Sequence, residues 1–464
     1  MPKVPLQLGI QSNPGRHPAA GSARIYNCYM EPGGEEGTTQ TPLYPVAGLT
    51  QWAAASSSGG VRAMLATANY LYVVRGRLLE RFDSSGASTT IGGIPTDGPV
   101  FMARNRAEPE PEIGIVSGGS YWRATGTTLA ENTDTDLPPT SSIDVLNGYF
   151  ILPGFAGVWY ISDVDDGSSI DPADFASAES LPDNIVRVAT RETELVIFSS
   201  DSTEWWQDTG AAFPFARVQT ARIGCLAARS VANVDRSLMW VAADHTVRLM
   251  EGYGGRIVSH PAVQRDIADE TDKSGIVATA WHEAGAWFYS ISGTAWTWEL
   301  NVATGKWHQR KSYGAERWKC AHVCHFAGLT IAGDRSTGAL YLMDRDTHTE
   351  GSDPLVMEVI APAVKAFPNN VVVDRLALRV QTGTGLVPGS TSTAEPAIMV
   401  AMSRDGGATF GTDRHLSLGT RGNRTKTVAS HSWGQAESAV FRLTCSAAVA
   451  RGFYEASIDV TTVK

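Results

Sequence analysis

Long apolar runs are missing from this sequence. No stretch approaches the roughly 18 consecutive apolar residues that a membrane-spanning helix needs, so no membrane span is expected. Charge is thin: Asp, Glu, Lys and Arg make up 19% of 464 residues, and the formal net charge is −10. A sequence-general nucleic-acid binder is normally basic, so that class is disfavoured. Cysteine is scarce. The five residues Cys28, Cys225, Cys320, Cys324 and Cys445 are odd in number and scattered. That argues against a disulfide framework and fits synthesis in a reducing cytoplasm. The opening residues Met1–Pro5 carry no apolar segment of signal-peptide type. Helical periodicity is weak, with Asp171–Leu181 a candidate for one short helix.

What is abundant is turn chemistry and aromatic bulk. Gly is 46 and Pro 23, beside 13 Trp, 13 Tyr and 14 Phe. Such a mix suits many short strands around a full core and disfavours disorder. Residues 1–60 hold Pro2, Pro5, Pro14, Pro18, Pro32, Pro42 and Pro45. Proline removes ladder donors, so this stretch is expected as an extended arm draped over something else. Deleting residues 1–45 should then leave a folded chain.

From residue 61 a repeat sets in. Apolar runs start at Leu71, Ile113, Tyr149, Leu195, Leu238, Trp287 and Leu329, 36 to 49 residues apart. Each is followed by a second run, such as Leu78–Phe82 or Val247–Met250, with turn residues such as Arg75 and Gly76 between the partners. Paired strands at that period are the signature of propeller blades, which must close into a ring to bury their faces. The sequence therefore predicts an all-β chain: a six- or seven-bladed β-propeller over 61–350, preceded by the arm. After 351 the period stops. Strands are predicted at Val371–Val380, Ala397–Met402, Ser438–Thr444 and Ala456–Val460, giving a β-sandwich-like domain over 351–464.

Few motifs carry chemistry. Ser403, Asp405, Gly407, Thr409 and Phe410 match the Asp-box pattern S-x-D-x-G-x-[ST]-[FW]. Its meaning is structural: Asp accepts backbone N–H groups across a tight turn, and Gly supplies φ > 0. Cys320, His322, Cys324 and His325 form the most metal-like cluster, but in a strand the first three share one face, and a tetrahedral site usually wants a turn. A core strand is expected there. His282 and Glu283 begin like H-E-x-x-H, but Ala286 stands where the second His belongs. Asp163, Asp165, Asp166 and Gly167 resemble a Ca²⁺ loop with Gly one place early. No nucleophile elbow or phosphate-binding loop occurs. From Ala124 to Val186 there are eleven acids and no Lys or Arg.

Several strings, taken together and in order, resemble one family. They are ARIYNCYME at Ala23–Glu31, PVAGL at Pro45–Leu49, SSIDPADFASAESLPDNI at Ser168–Ile185 and EWWQDTGAAFPF at Glu204–Phe215. IGC at Ile223–Cys225, GYGGRIVSH at Gly252–His260 and TWELNVATGKWH at Thr297–His308 follow. The chain is similar to the tail hub or nozzle proteins of short-tailed phages, the packaged-DNA stabilisation proteins, over about nine tenths of its length. PVAGL replaces the family's tighter Pro-Gly-Leu, and 351–396 matches less well. The resemblance implies a structural virion protein of the tail, a homo-hexameric ring below the head-to-tail adaptor. Such a ring extends the DNA channel, retains the genome and meets tail fibres or spikes and a plug or needle. It implies no cofactor and no catalytic residues. In that setting some of Asp163, Asp165, Asp166, Asp171 and Asp174 are expected to face the DNA channel or a basic partner. A propeller-fold glycoside hydrolase of sialidase type is the alternative. It should carry an Asp box per blade, whereas this chain has one, outside the repeat.

Overall fold

Among the described residues seven blades of four strands follow one another around a ring, so the count between six and seven resolves to seven. The computed structural model describes residues 3–33, 41–133, 137–178, 181, 183–385 and 395–463. Six blades are contiguous in sequence: 61–93, 100–131, 144–177, 185–221, 232–257 and 277–309. The paired apolar runs of the sequence are the two middle strands of each blade, for example Leu71–Arg75 against Leu78–Phe82. Those runs are continuous because neighbouring blades cover both faces of the sheet. Leu71–Arg75, Ile113–Ser117 and Glu194–Ser199 are buried at every position.

One hydrophobic cluster fills each of the seven seams. Trp122 and Ile113 pack on Tyr72 and Val74 between blades one and two. Leu71, Val73 and Phe82 meet Phe326, Ile331 and Leu340 where blade seven returns to blade one. The longest repeat interval, between Leu238 and Trp287, is filled by the helix Pro261–Asp269. His260 caps it, its Nδ1 accepting from Ala262 N at 3.2 Å, and Val263 and Ile267 wedge between blades five and six.

Blade seven is closed from the far end of the chain. Cys320–Phe326, Leu329–Asp334 and Leu340–Asp344 supply three strands, and Gly48–Ala53 supplies the outermost, antiparallel, with Met343 opposite Leu49. The stretch 1–60 is thus no free strap. Lys3–Leu6 and Leu43–Pro45 pair with Phe453–Val463, and Arg24–Tyr26 pairs with Met357–Ile360. Tyr26 also pairs in parallel with Gln309, so one ten-stranded sheet runs from blade six through the arm into the C-terminal sandwich. Proline-rich composition here accompanies short strands and sheet edges, and what the arm lies on is the C-terminal sandwich and blade seven. Asn27 rivets the junction from a left-handed φ of 54°, its side chain donating to Lys311 O and Val356 O and accepting from Lys311 N.

In the sandwich, Asn370–Val380, Val428–Ala436 and Phe453–Val463 face the sheet of Met357–Ile360, Ala397–Ser403 and Ser438–Cys445. Val371, Leu376, Ile398, Phe441 and Ile458 share its core with Ile25 and Leu43 from the arm. The short helix expected at Asp171–Leu181 is absent from the described part of that span. Phe175–Ser177 is instead the outer strand of blade three, paired to Val158–Ile161.

Candidate functional site

The Asp box turns the chain after the strand Ala397–Ser403. Asp405 accepts from Ala408 N at 3.0 Å, Thr409 N at 2.9 Å and Thr409 Oγ1 at 2.6 Å, and it is bonded to Ser403 Oγ at 2.6 Å. These donors, Ser403 and Thr409 first, hold its carboxyl far below the ordinary range. Gly407 takes a φ of 102°, and a Cβ there would sit 3.3 Å from Ser22 of the arm. The Arg442 guanidinium lies 4.8 Å from the Phe410 ring centre. The box therefore shapes the surface on which the arm rests, and its carboxylate is spent on the turn. A depressed carboxyl contributes stability that is present above the unfolded value near 3.9 and is lost as pH falls. Asp405→Ala is expected to lower the melting temperature at pH 7, and that difference should shrink at pH 3. An equal difference at both pH values would show that the carboxylate charge is not what holds the turn.

The five singled-out acids lie together, between the third strand of blade three, Val158–Ile161, and its fourth, Phe175–Ser177. Asp163, Asp166 and Asp171 are exposed, and Asp165 and Asp174 half-buried. Asp166 accepts from Ser168 N and Oγ, and Asp171 from Ala173 N, so two of them stabilise their own turns. Asp166 is held below the usual carboxylate range by Ser168. The base-free run is not unpaired in space. Arg106, in the loop of blade two, reaches Asp165 at 3.1 Å and donates to Asn147 O. These acids sit on the face of the ring where the first two strands of each blade join, since Asp165 N donates to Gly148 O of that hairpin.

The strand Cys320–Phe326 does not gather its metal-like residues. A bulge between Cys320 and His322 breaks the alternation. Cys320 is buried against Trp318 and Trp281, while Cys324 packs in the seam with blade one. Burial pushes both thiols up, that of Cys324 to about 11. His322 faces the ring axis, where burial, then Arg229 and Arg335, press it down to about 3. Among the described residues no group of three or more His, Cys, Asp or Glu side chains is placed to hold a metal ion. Glu283, at the end of the innermost strand of blade six, is engaged at 2.8 Å by Arg345, which follows Leu340–Asp344 of blade seven.

A seven-bladed propeller fused to a β-sandwich through shared strands, with the carboxylate of its Asp box engaged in a turn, defines a structural building block. The family model described as "Bacteriophage P22 Gp10, beta-propeller" matches residues 27–348, and "Bacteriophage P22 Gp10, beta-sandwich" matches 357–461. The chain belongs to this family of tail-associated DNA-stabilisation proteins of short-tailed phages, and it is a phage structural protein. No curated protein matches it. Among solved structures it is similar to the WD40 propeller domain of Doa1, at 10% identity, a TM-score of 0.43 and coverage of 64% of this chain and 97% of that one. The WD40 domain of Neurospora crassa Pan2 follows at 8% identity and TM-score 0.44, covering 64% and 95%. YCF48 bound to a D1 peptide matches at 11% and 0.41, covering 65% and 96%.

Sequence reasoning missed the residues that line the ring axis. Arg62, Arg229, Arg317 and Arg335 are spread over four distant stretches, each at or just before an innermost strand or in the return turn of blade seven. Only closure of the ring brings them together, and no local pattern signals it.

Proposed function

We propose that the protein is the tail nozzle of a short-tailed phage. Six copies form a ring below the head-to-tail adaptor, extend the DNA channel, retain the packaged genome and anchor fibres or spikes and a plug. The observation that supports this most is mechanical. The ten-stranded sheet from blade six through Arg24–Tyr26 into the sandwich, with the Gly48–Ala53 closure, locks arm, propeller and sandwich into one block. A wall that contains pressurised DNA needs such stiffness and needs no catalytic cleft. In this reading Asp163, Asp165, Asp166, Asp171 and Asp174 face the passing DNA or a basic partner, since an acidic wall repels phosphates and lets the duplex slide.

The test is a phage in which this gene product is withheld during assembly. Heads are expected to fill, then lose their DNA and lack fibres, and reconstruction of complete particles should show six copies below the adaptor. Filled, fibre-bearing particles made without the protein would overturn the reading. A second arm reverses charge at Asp163, Asp171 and Asp174 with Lys. Ejection at low salt is expected to slow, and rates equal to wild type would remove these acids from the channel or partner surface.

A further inference from the structure

The four axial arginines make a site of their own. The start of the innermost strand of blade one carries Val61 and Arg62. The turn entering blade five carries Arg229, the loop between blades six and seven carries Arg317, and the return turn of blade seven carries Arg335. They line one pocket of about 330 Å³ at the mouth of the ring axis, on the face opposite the acids of blade three. Their donors are under-used. Arg229 Nη2 donates to Gly275 O at 3.2 Å, Arg317 Nη1 to Gly293 O at 2.8 Å and Arg335 Nη2 to Cys320 O at 2.9 Å. The Nε atoms of Arg229 and Arg335 are buried with no partner. Arg62 is better served, donating to Gly98 O, Gly76 O and Ser117 Oγ.

None of the four makes an ion pair among the described residues. Three carboxylates lie near enough to be felt, and each is occupied elsewhere. Asp97 is held by Arg77 at 2.7 Å. Asp272 accepts from Ser274 Oγ at 2.7 Å and Gly275 N at 2.9 Å. Asp334 accepts from Ser336 N at 2.7 Å and Thr337 N at 2.9 Å. Burial, then the like charges of Arg317 and Arg229, bring Arg335 down to about 10. His322 beside them stays neutral and adds no charge. Clustering positive charge in a half-buried pocket costs stability unless an anion offsets it.

We propose that this mouth of the propeller axis binds a phosphate-class oxyanion, held by Arg229, Arg317 and Arg335 with Arg62 at the rim. Guanidinium forks match phosphate oxygens in bidentate fashion, and three of them on three separate elements offer more donors than one carboxylate can use. The same chemistry is offered by free phosphate and by the phosphates of a nucleic acid, and the experiment separates the two.

Full-length protein is titrated with inorganic phosphate by calorimetry and melted in phosphate and in chloride at equal ionic strength. Saturable binding and a higher melting temperature in phosphate are expected. The double variant Arg229→Gln/Arg335→Gln should weaken phosphate binding by on the order of tenfold or more and abolish the phosphate-specific shift. In chloride it should melt no lower than wild type, because like-charge repulsion is relieved. Arg236→Gln, on an exposed turn of blade five, removes charge elsewhere and should leave phosphate binding intact. Competition by a short DNA duplex assigns the site to nucleic-acid phosphates, and its absence assigns it to free phosphate. Equal melting of wild type in phosphate and chloride, or a phosphate shift that survives in the double variant, would overturn the site. If the double variant fails to fold, Arg317→Gln alone must still weaken binding, and unchanged affinity there refutes the proposal.

Discussion

Replacing Arg310 with Met is expected to cost about 3–5 kcal/mol at neutral pH, because it leaves a buried carboxylate short of its cation. Arg310 is fully buried where blade six ends. Its Nη1 lies 3.2 Å from Glu299, its Nη2 donates to Ala47 O at 2.9 Å, and its guanidinium lies 3.8 Å from the Trp318 ring centre. Glu299 is also bonded to His308 at 2.9 Å. Burial alone would push the Glu299 carboxyl up, but Arg310 and then His308 outweigh it and hold it below the ordinary range. A depressed carboxyl contributes stability that is present above the unfolded value near 4.3 and lost as pH falls through the folded one. In the variant burial wins, the carboxyl rises, and protonation relieves the cost. The gap in unfolding free energy between wild type and variant should therefore be larger at pH 8 than at pH 5. Denaturant melts at both values check this. A gap that does not change with pH would mean that lost packing on Trp318, not the stranded charge, sets the cost.

What could be read in the sequence was what is local. The two middle strands of every blade were visible because both their faces are buried, which turns them into continuous apolar runs such as Leu71–Val74. The Asp box was visible because Ser403 to Phe410 close their own hydrogen bonds. The innermost and outermost strands were harder. Ser88–Gly93 is mostly exposed and Asp144–Leu146 spans three residues, so neither leaves a pattern. Pairings between distant stretches were not legible at all. The partner of Asp165 comes from blade two, and the fourth strand of blade seven comes from Gly48–Ala53, ahead of blade one. The proline content of 1–60 pointed to an extended arm draped over other parts, but not to the strands it pairs with, Phe453–Val463, Met357–Ile360 and Leu340–Asp344.

Those pairings have a measurable consequence. A chain beginning at residue 54 is expected to lose its cooperative folded state, because it removes Gly48–Ala53, which a deletion of residues 1–45 leaves in place. Without Gly48–Ala53, blade seven keeps three strands and exposes the edge of Leu340–Asp344. Leu49 leaves the cluster it shares with Trp281, Phe288 and Trp318. Ala54, whose carbonyl accepts from Arg75 at 2.9 Å at the seam of blades one and seven, becomes an unanchored N-terminus. Gly48 is packed so tightly that a Cβ would lie 2.2 Å from Thr347 O, so no other stretch of chain fits there easily. The sandwich loses Ile25, Cys28 and Leu43 from its core at the same time. Leu49→Ala alone should cost about 2–5 kcal/mol. Whole strands on both domains cost several times that, which exceeds the roughly 5–15 kcal/mol by which domains are stable. The truncated chain should bind a hydrophobic dye, elute as aggregate and show no sharp thermal transition, while Leu49→Ala remains folded with a lowered midpoint. A truncated monomer melting within a few degrees of the full chain would show that the arm closes nothing and serves only to reach a neighbour.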